Sequence, residues 1–160
     1  MRLVCIDPGT SNTGLVYMDE HEIFCSKTIT HKDRLFKDAL TKAGKPSREV
    51  DQEKLMRRAR SIAIAIRDFC LMHPHDVVVI EGFHTFSNRQ NSYTFETPYL
   101  CGYLERELDG ENIAIQTSAE ALRNIDKAYI KQFPGGAGCT SEHTRAAACH
   151  GLYYLRRHHK

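Results

Sequence analysis

Apolar residues in this chain follow two rhythms. Nearly unbroken runs within Arg2–Ile6, Thr13–Met18 and Asp76–Ile80 read as buried strands, and Glu22–Thr28 as a further one. Gly9, Ser11 and Asn12 supply turn chemistry between the first two, so an antiparallel meander opens the chain. The run DVVVI is almost wholly β-branched and suits a central strand covered on both faces. The second rhythm is helical. Leu55, Ala59, Ile62, Ile66 and Phe69 step by four, three, four and three, predicting a helix over 51–72 that His73-Pro74 closes.

The remaining pattern is shorter. A helix is expected over 95–108, with Pro98 in its first turn, then a strand at Ile113–Gln116. Ser118 is expected to cap a helix ending near Ile125, and a last helix opens near Ser141 and ends in Leu155-Arg-Arg. Residues 31–50 are polar, lack a clean period and carry Gly44 and Pro46, which predicts a long mobile connection. The glycine-rich stretch 134–138 is expected to be flexible. The order β-β-β-α-β-α-β-α-α predicts an α/β sandwich with a mixed sheet, and 160 residues suit one domain spanning 1–160.

Composition narrows the classes. At 41% hydrophobic and 26% charged, the chain is globular in character. No apolar stretch approaches the roughly 20 residues of a membrane span, and no secretory leader is visible, so a cytoplasmic protein is expected. Six scattered cysteines without a C-x-x-C pair read as free thiols. Net charge is only +2, which permits nucleic-acid binding without announcing it. Lys54, Arg57, Arg58 and Arg60 are either a solvated helix face or part of such a surface.

The chemistry lies at strand ends. Asp7 closes the first strand and opens the turn DPGTSNTG; Glu81 closes the DVVVI strand. A D-x-G-T turn also opens the sugar-kinase and actin type of ATPase. That architecture closes two domains over its nucleotide, no second glycine-rich phosphate loop follows, and Pro8 removes one N–H from the cradle. No nucleotide cofactor is expected. Carboxylates delivered to one sheet rim suit a divalent metal instead. In the last helix, His143, position 146, His150 and Arg157 fall on one face at spacings of three, four and seven.

The ordered set IDPGTSNTG, VVVIEGF, IQTSAEALRNI and SEHTRAAACHGLYYL resembles the RuvC-type Holliday junction resolvases of the RNase H-like nuclease superfamily, phage or bacterial. The resemblance covers nearly the whole chain, apart from 31–50. It implies an RNase H-like mixed five-stranded sheet flanked by helices, and a homodimer acting on four-way DNA junctions. It also implies two Mg²⁺ or Mn²⁺ ions per site, roughly 4 Å apart, on Asp7, Glu81 and the last helix. Paired nicks would leave 5′-phosphate and 3′-hydroxyl ends.

Two positions three apart in the last helix carry metal ligands in that family. His143 matches the first, but the second falls on Ala146, which binds nothing. Either Glu142 substitutes, or an aspartate at 146 has been replaced and the chain is an inactivated form, or a natural variant has lost activity. Phe83, His84, Phe86, Arg89, Gln90 and Asn91 in the loop after Glu81 are candidate DNA contacts, with Arg123, Lys127 and Lys131 extending a positive rim. Tyr99, Leu100, Tyr103 and Leu104 supply either core or a dimer seam. The other readings are a flap, single-strand or RNA-processing nuclease of the same fold, and a non-catalytic junction-binding protein.

Overall fold

The computed structural model describes residues 1–9, 11–32, 36–40, 44, 46–82 and 96–158, with the side chains of 36–40, 46–50 and 96–98 left aside. The candidate contacts Phe83, His84, Phe86, Arg89, Gln90 and Asn91 lie outside the described residues. Thirteen elements are described in chain order: β1 (Leu3–Asp7), β2 (Asn12–Met18), β3 (Ile23–Thr30), β4 (Phe36–Leu40), β5 (Pro46–Val50), α1 (Gln52–Met72), β6 (Val77–Gly82), α2 (Glu96–Glu107), β7 (Ile113–Thr117), α3 (Ser118–Asn124), α4 (Lys127–Ile130), a 3₁₀ turn (Gly136–Gly138) and α5 (Glu142–His158).

The expected mixed five-stranded sheet is present, in the order β3-β2-β1-β6-β7. β1, β2 and β3 are antiparallel, whereas β6 runs parallel to both β1 and β7. Side chains of a strand alternate between faces, and the core divides accordingly. Leu3, Cys5, Val77 and Val79 join α5 through Ala147, Ala148, Cys149, Leu152 and Leu155. Val4, Ile6, Val78 and Ile80 join Ala59, Ile62, Ile66 and Phe69 of α1 on the other side. Leu100 and Leu104 belong to that second core, while Tyr99 stands exposed. Among the described residues no helix is long and apolar enough to cross a membrane.

Three expectations change. Residues 31–50 contain a two-stranded antiparallel ribbon, Phe36 pairing with Val50 through Leu40 with Pro46, and Gly44 takes φ +71° between its strands. Its strands are too polar to show a buried face, so the pairing leaves no hydrophobic period to read. The stretch 134–138 is a folded turn: Pro134 accepts from the Ile23 N–H at 2.9 Å, and Gly135 takes φ +75° with no room for a Cβ beside the Ile23 carbonyl. The cap of α3 is Thr117, not Ser118. Thr117 accepts from Glu120 N–H at 3.2 Å, and Glu120 reaches back to the Thr117 N–H at 3.1 Å, a reciprocal capping box.

Close approach of α5 to the sheet depends on small residues. A Cβ at Gly14 would overlap the backbone of His143 and Thr144, and one at Gly151 would overlap the sulfurs of Cys5 and Met18 at 2.5 Å. Ser141 caps the helix, accepting from Thr144 N–H at 3.0 Å. Gly14→Ala is therefore expected to push the start of α5 off β2 and destabilise the protein by about 1–3 kcal/mol. Urea denaturation followed by circular dichroism measures this; an unchanged midpoint would show that α5 is not seated against Gly14.

Candidate active site

Strand parity places the acids. Asp7 shares the face of Leu3 and Cys5, and Glu81 that of Val77 and Val79, so both carboxylates point to the α5 side. The β1–β6 register runs from Leu3 opposite Val77 to Ile6 opposite Ile80, which brings the next residues, Asp7 and Glu81, to the same rim. Glu81 in turn pairs with Gln116 on β7. Three polar side chains thus stand in a row across three adjacent strands.

From above, α5 meets this row with two histidines on one face, about two turns apart. His143 Nδ1 lies 2.8 Å from Asp7 Oδ2. His150 is fully buried, its Nδ1 3.2 Å from Gln116 Oε1 and its Nε2 3.4 Å from Glu81 Oε2. The second contact has ion-pair distance without hydrogen-bond alignment. The result is a chain, His143–Asp7–Glu81–His150–Gln116, closed at each end by a helix or strand.

Burial and the neighbouring Glu81 charge raise the Asp7 carboxyl from 3.8 to about 6, against a smaller lowering by His143. Burial also pushes Glu81 up, but it is outweighed by His150, Ser118 and Asp7, which together hold it down at about 2. Two like charges so close resist ionising together, and the proton that remains sits on Asp7. Ser118 is available for Glu81 because Thr117 does the capping.

Asp7 lies beside both His143 and Glu81. Ala146 is buried on the same helix, one turn before His150. Glu142 is largely exposed and lies 3.9 Å from Lys127. Arg157 leaves the site and lies 3.9 Å from Glu120. Arg123, in the last turn of α3, and Lys131, which caps α4, are exposed. Of the basic helix cluster, Lys54, Arg57 and Arg60 are exposed, but Arg58 is buried. Gln116 was not singled out from sequence; its only signal is its place in the strand IAIQT, where the inward position is polar.

The donor chemistry suits a hard or borderline divalent cation: two carboxylates with an imidazole beside each. Among the described residues no three of His, Cys, Asp and Glu are grouped so as to hold a metal ion by themselves. An open rim of this kind leaves coordination positions for water and substrate oxygens, as catalytic sites require.

No protein-family model matches the chain, and no curated protein matches its sequence. Solved structures do. The chain is similar to Thermus thermophilus RuvC in complex with a Holliday junction substrate, with a TM-score of 0.73 and 13% identity over 99% of this chain and 96% of that one. It is also similar to another Thermus thermophilus RuvC structure, with a TM-score of 0.59 and 14% identity over 98% and 96%. The mixed sheet with flanking helices is the RuvC-like, RNase H-like fold.

The carboxyl pair makes a pH-dependent contribution. The folded protein holds the Asp7 proton more tightly than the unfolded chain, so this group favours folding below pH 3.8 and loses that advantage as pH rises through about 6. Glu81 acts oppositely, stabilising above pH 4.5 and losing that as pH falls towards about 2. Asp7→Asn is expected to stabilise the metal-free protein by about 2 kcal/mol at pH 7.5 and by almost nothing near pH 4. Denaturation in EDTA at both pH values checks it; equal effects at the two would mean that Asp7 is not strained by burial.

Proposed function

We propose that this protein is a metal-dependent endonuclease that resolves four-way DNA junctions as a homodimer. The observation that carries the reading is the pair Asp7 and Glu81 on adjacent parallel strand ends, both under α5, within a chain-length likeness to RuvC bound to a junction. The identity is low, so activity rests on the site rather than on the likeness. A two-fold branched substrate needing two matched nicks suits a two-fold dimer. Free thiols and the lack of a spanning helix among the described residues agree with a cytoplasmic setting.

Asp7, Glu81 and His143 would hold two Mg²⁺ or Mn²⁺ ions. When bound, these supply Lewis-acid polarisation of the scissile phosphate and a water nucleophile at neutral pH. Asp7 must first give up the proton that burial and Glu81 favour, so occupancy rises with pH through about 6. His143 orients the Asp7 carboxylate through Nδ1, and Ser118 steadies Glu81. Products would carry 5′-phosphate and 3′-hydroxyl ends.

Away from the carboxylates, a hollow of ≈ 390 Å³ is lined by His31, Lys54, Arg57, Arg58 and Ser61. Its position follows from β3: His31 donates its N–H to the Ser11 carbonyl at 2.9 Å, in the turn that begins at Asp7. Lys54 and Arg57, exposed beside that turn, suit the backbone phosphates of a strand leaving the site. Arg89, Gln90, Asn91 and the aromatic residues Phe83, His84 and Phe86 would meet the crossover from the loop after Glu81, with Arg123, Lys127 and Lys131 along the rim. The second reading, a flap or single-strand nuclease, shares every one of these residues and differs in the substrate cut.

Synthetic four-way junctions, flaps, linear duplexes and RNA duplexes with Mg²⁺ or Mn²⁺ separate the readings. The junction is expected to be bound far more tightly than the linear duplex and to be the DNA that is nicked. Asp7→Asn and Glu81→Gln are expected to abolish cleavage while leaving junction binding intact or tighter. Parental cleavage by either variant would remove the metal assignment, and preferential cutting of flaps would favour the second reading. Lys54→Ala and Arg57→Ala are expected to weaken binding of all DNAs alike and to flatten its salt dependence, each by about one phosphate contact. Affinity that is unchanged at low salt would exclude the basic hollow from the DNA path.

A further inference from the structure

Ala146 brings no donor to the site, and a buried histidine, His150, stands one turn further along the same helix. We propose that His150 Nε2 is a direct ligand of the divalent cation held by Glu81, taking the place that a side chain at 146 does not fill. The proposal rests on the metal-dependent reading above and deepens it.

Gln116 decides the tautomer. An amide oxygen only accepts, and Gln116 Oε1 faces His150 Nδ1 at 3.2 Å, so Nδ1 carries a proton. A histidine held in this way, by a carbonyl oxygen on one ring nitrogen, presents the other as a lone pair; metal-binding histidines are generally oriented so. Nε2 is buried, makes no aligned hydrogen bond, and lies 3.4 Å from Glu81 Oε2. A lone pair facing a carboxylate in a dry site is repulsive unless positive charge lies between them, either a second proton on the ring or a cation. The separation suits two adjacent ligands of one ion, each at about 2.1 Å.

Position and packing agree. Residues 146 and 150 are one turn apart on the same face, and Gly151, next to His150, brings α5 close against Cys5 and Met18. An alanine at 146 leaves the deeper imidazole as the helix's donor to Glu81, while His143 serves Asp7. Replacing an oxygen donor by an imidazole moves preference away from Mg²⁺ towards Mn²⁺ and other borderline ions.

The test avoids disturbing the buried histidine. In a His143→Gln variant, loaded with Mn²⁺ alone, any directly bound imidazole nitrogen must come from His150 or a residue outside the site. Pulsed electron paramagnetic resonance is expected to show ¹⁴N coupling to Mn²⁺ in His143→Gln, lost in His143→Gln/His150→Gln. Gln116→Met should weaken Mn²⁺ binding by roughly 10–100-fold in calorimetry, because it releases the tautomer. Mn²⁺ bound by His143→Gln without nitrogen coupling would overturn the proposal alone and leave His150 as an imidazolium partner of Glu81. Absence of Mn²⁺ binding by the unaltered protein would overturn the metal-dependent reading as well. If the double variant fails to fold by circular dichroism, the coupling in His143→Gln still decides, with ¹⁵N-histidine labelling to confirm that a histidine is its source.

Discussion

The site depends on a conflict written into the sheet. Parallel pairing of β1 with β6 carries Asp7 and Glu81 to the same rim, on the same face, under a helix. Backbone hydrogen bonds and the Val-rich and Ile-rich cores on either side fix that register, and a slip of one residue would turn each acid to the opposite face. Burial and mutual repulsion then oppose ionisation of the pair, which is why Asp7 holds its proton to about pH 6.

Helix α5 supplies the other half of that arrangement. Its first turns are small, with alanines at 146, 147 and 148 and Gly151, and Gly14 clears the sheet beneath them. The helix can therefore lie low enough for two imidazoles to reach two carboxylates. His150, one turn beyond Ala146, stands between Glu81 and Gln116. The enclosed polar groups are linked along the chain from His143 to Gln116, although His150 Nε2 makes no aligned hydrogen bond in it.

Capping chemistry contributes in a less obvious way. The box between Thr117 and Glu120 starts α3 one residue earlier than a cap at Ser118 would, and it frees the Ser118 hydroxyl to face Glu81. Helix initiation and carboxylate stabilisation thus use neighbouring residues. On the far side of the turn that Asp7 opens, His31 and α1 gather basic side chains without any charge run conspicuous enough to raise the net charge above +2.

Much of this was legible in the residues alone. The five strands of the main sheet, the stripe on α1, and the placement of Asp7 and Glu81 at strand ends follow from local periodicity, because burial on two faces or one leaves a repeating apolar signature. His143, Ala146 and His150 could be placed on one helix face for the same reason. The polar ribbon of 36–40 and 46–50 and the folded glycine turn left no such signature, because strand pairing defines the one and a carbonyl contact the other. Nor could local pattern show that His150 meets Glu81, or that Gln116 orients it. Those contacts join residues 69 and 34 positions apart, and only the packing of α5 across β6 and β7 sets the distances on which their chemistry depends.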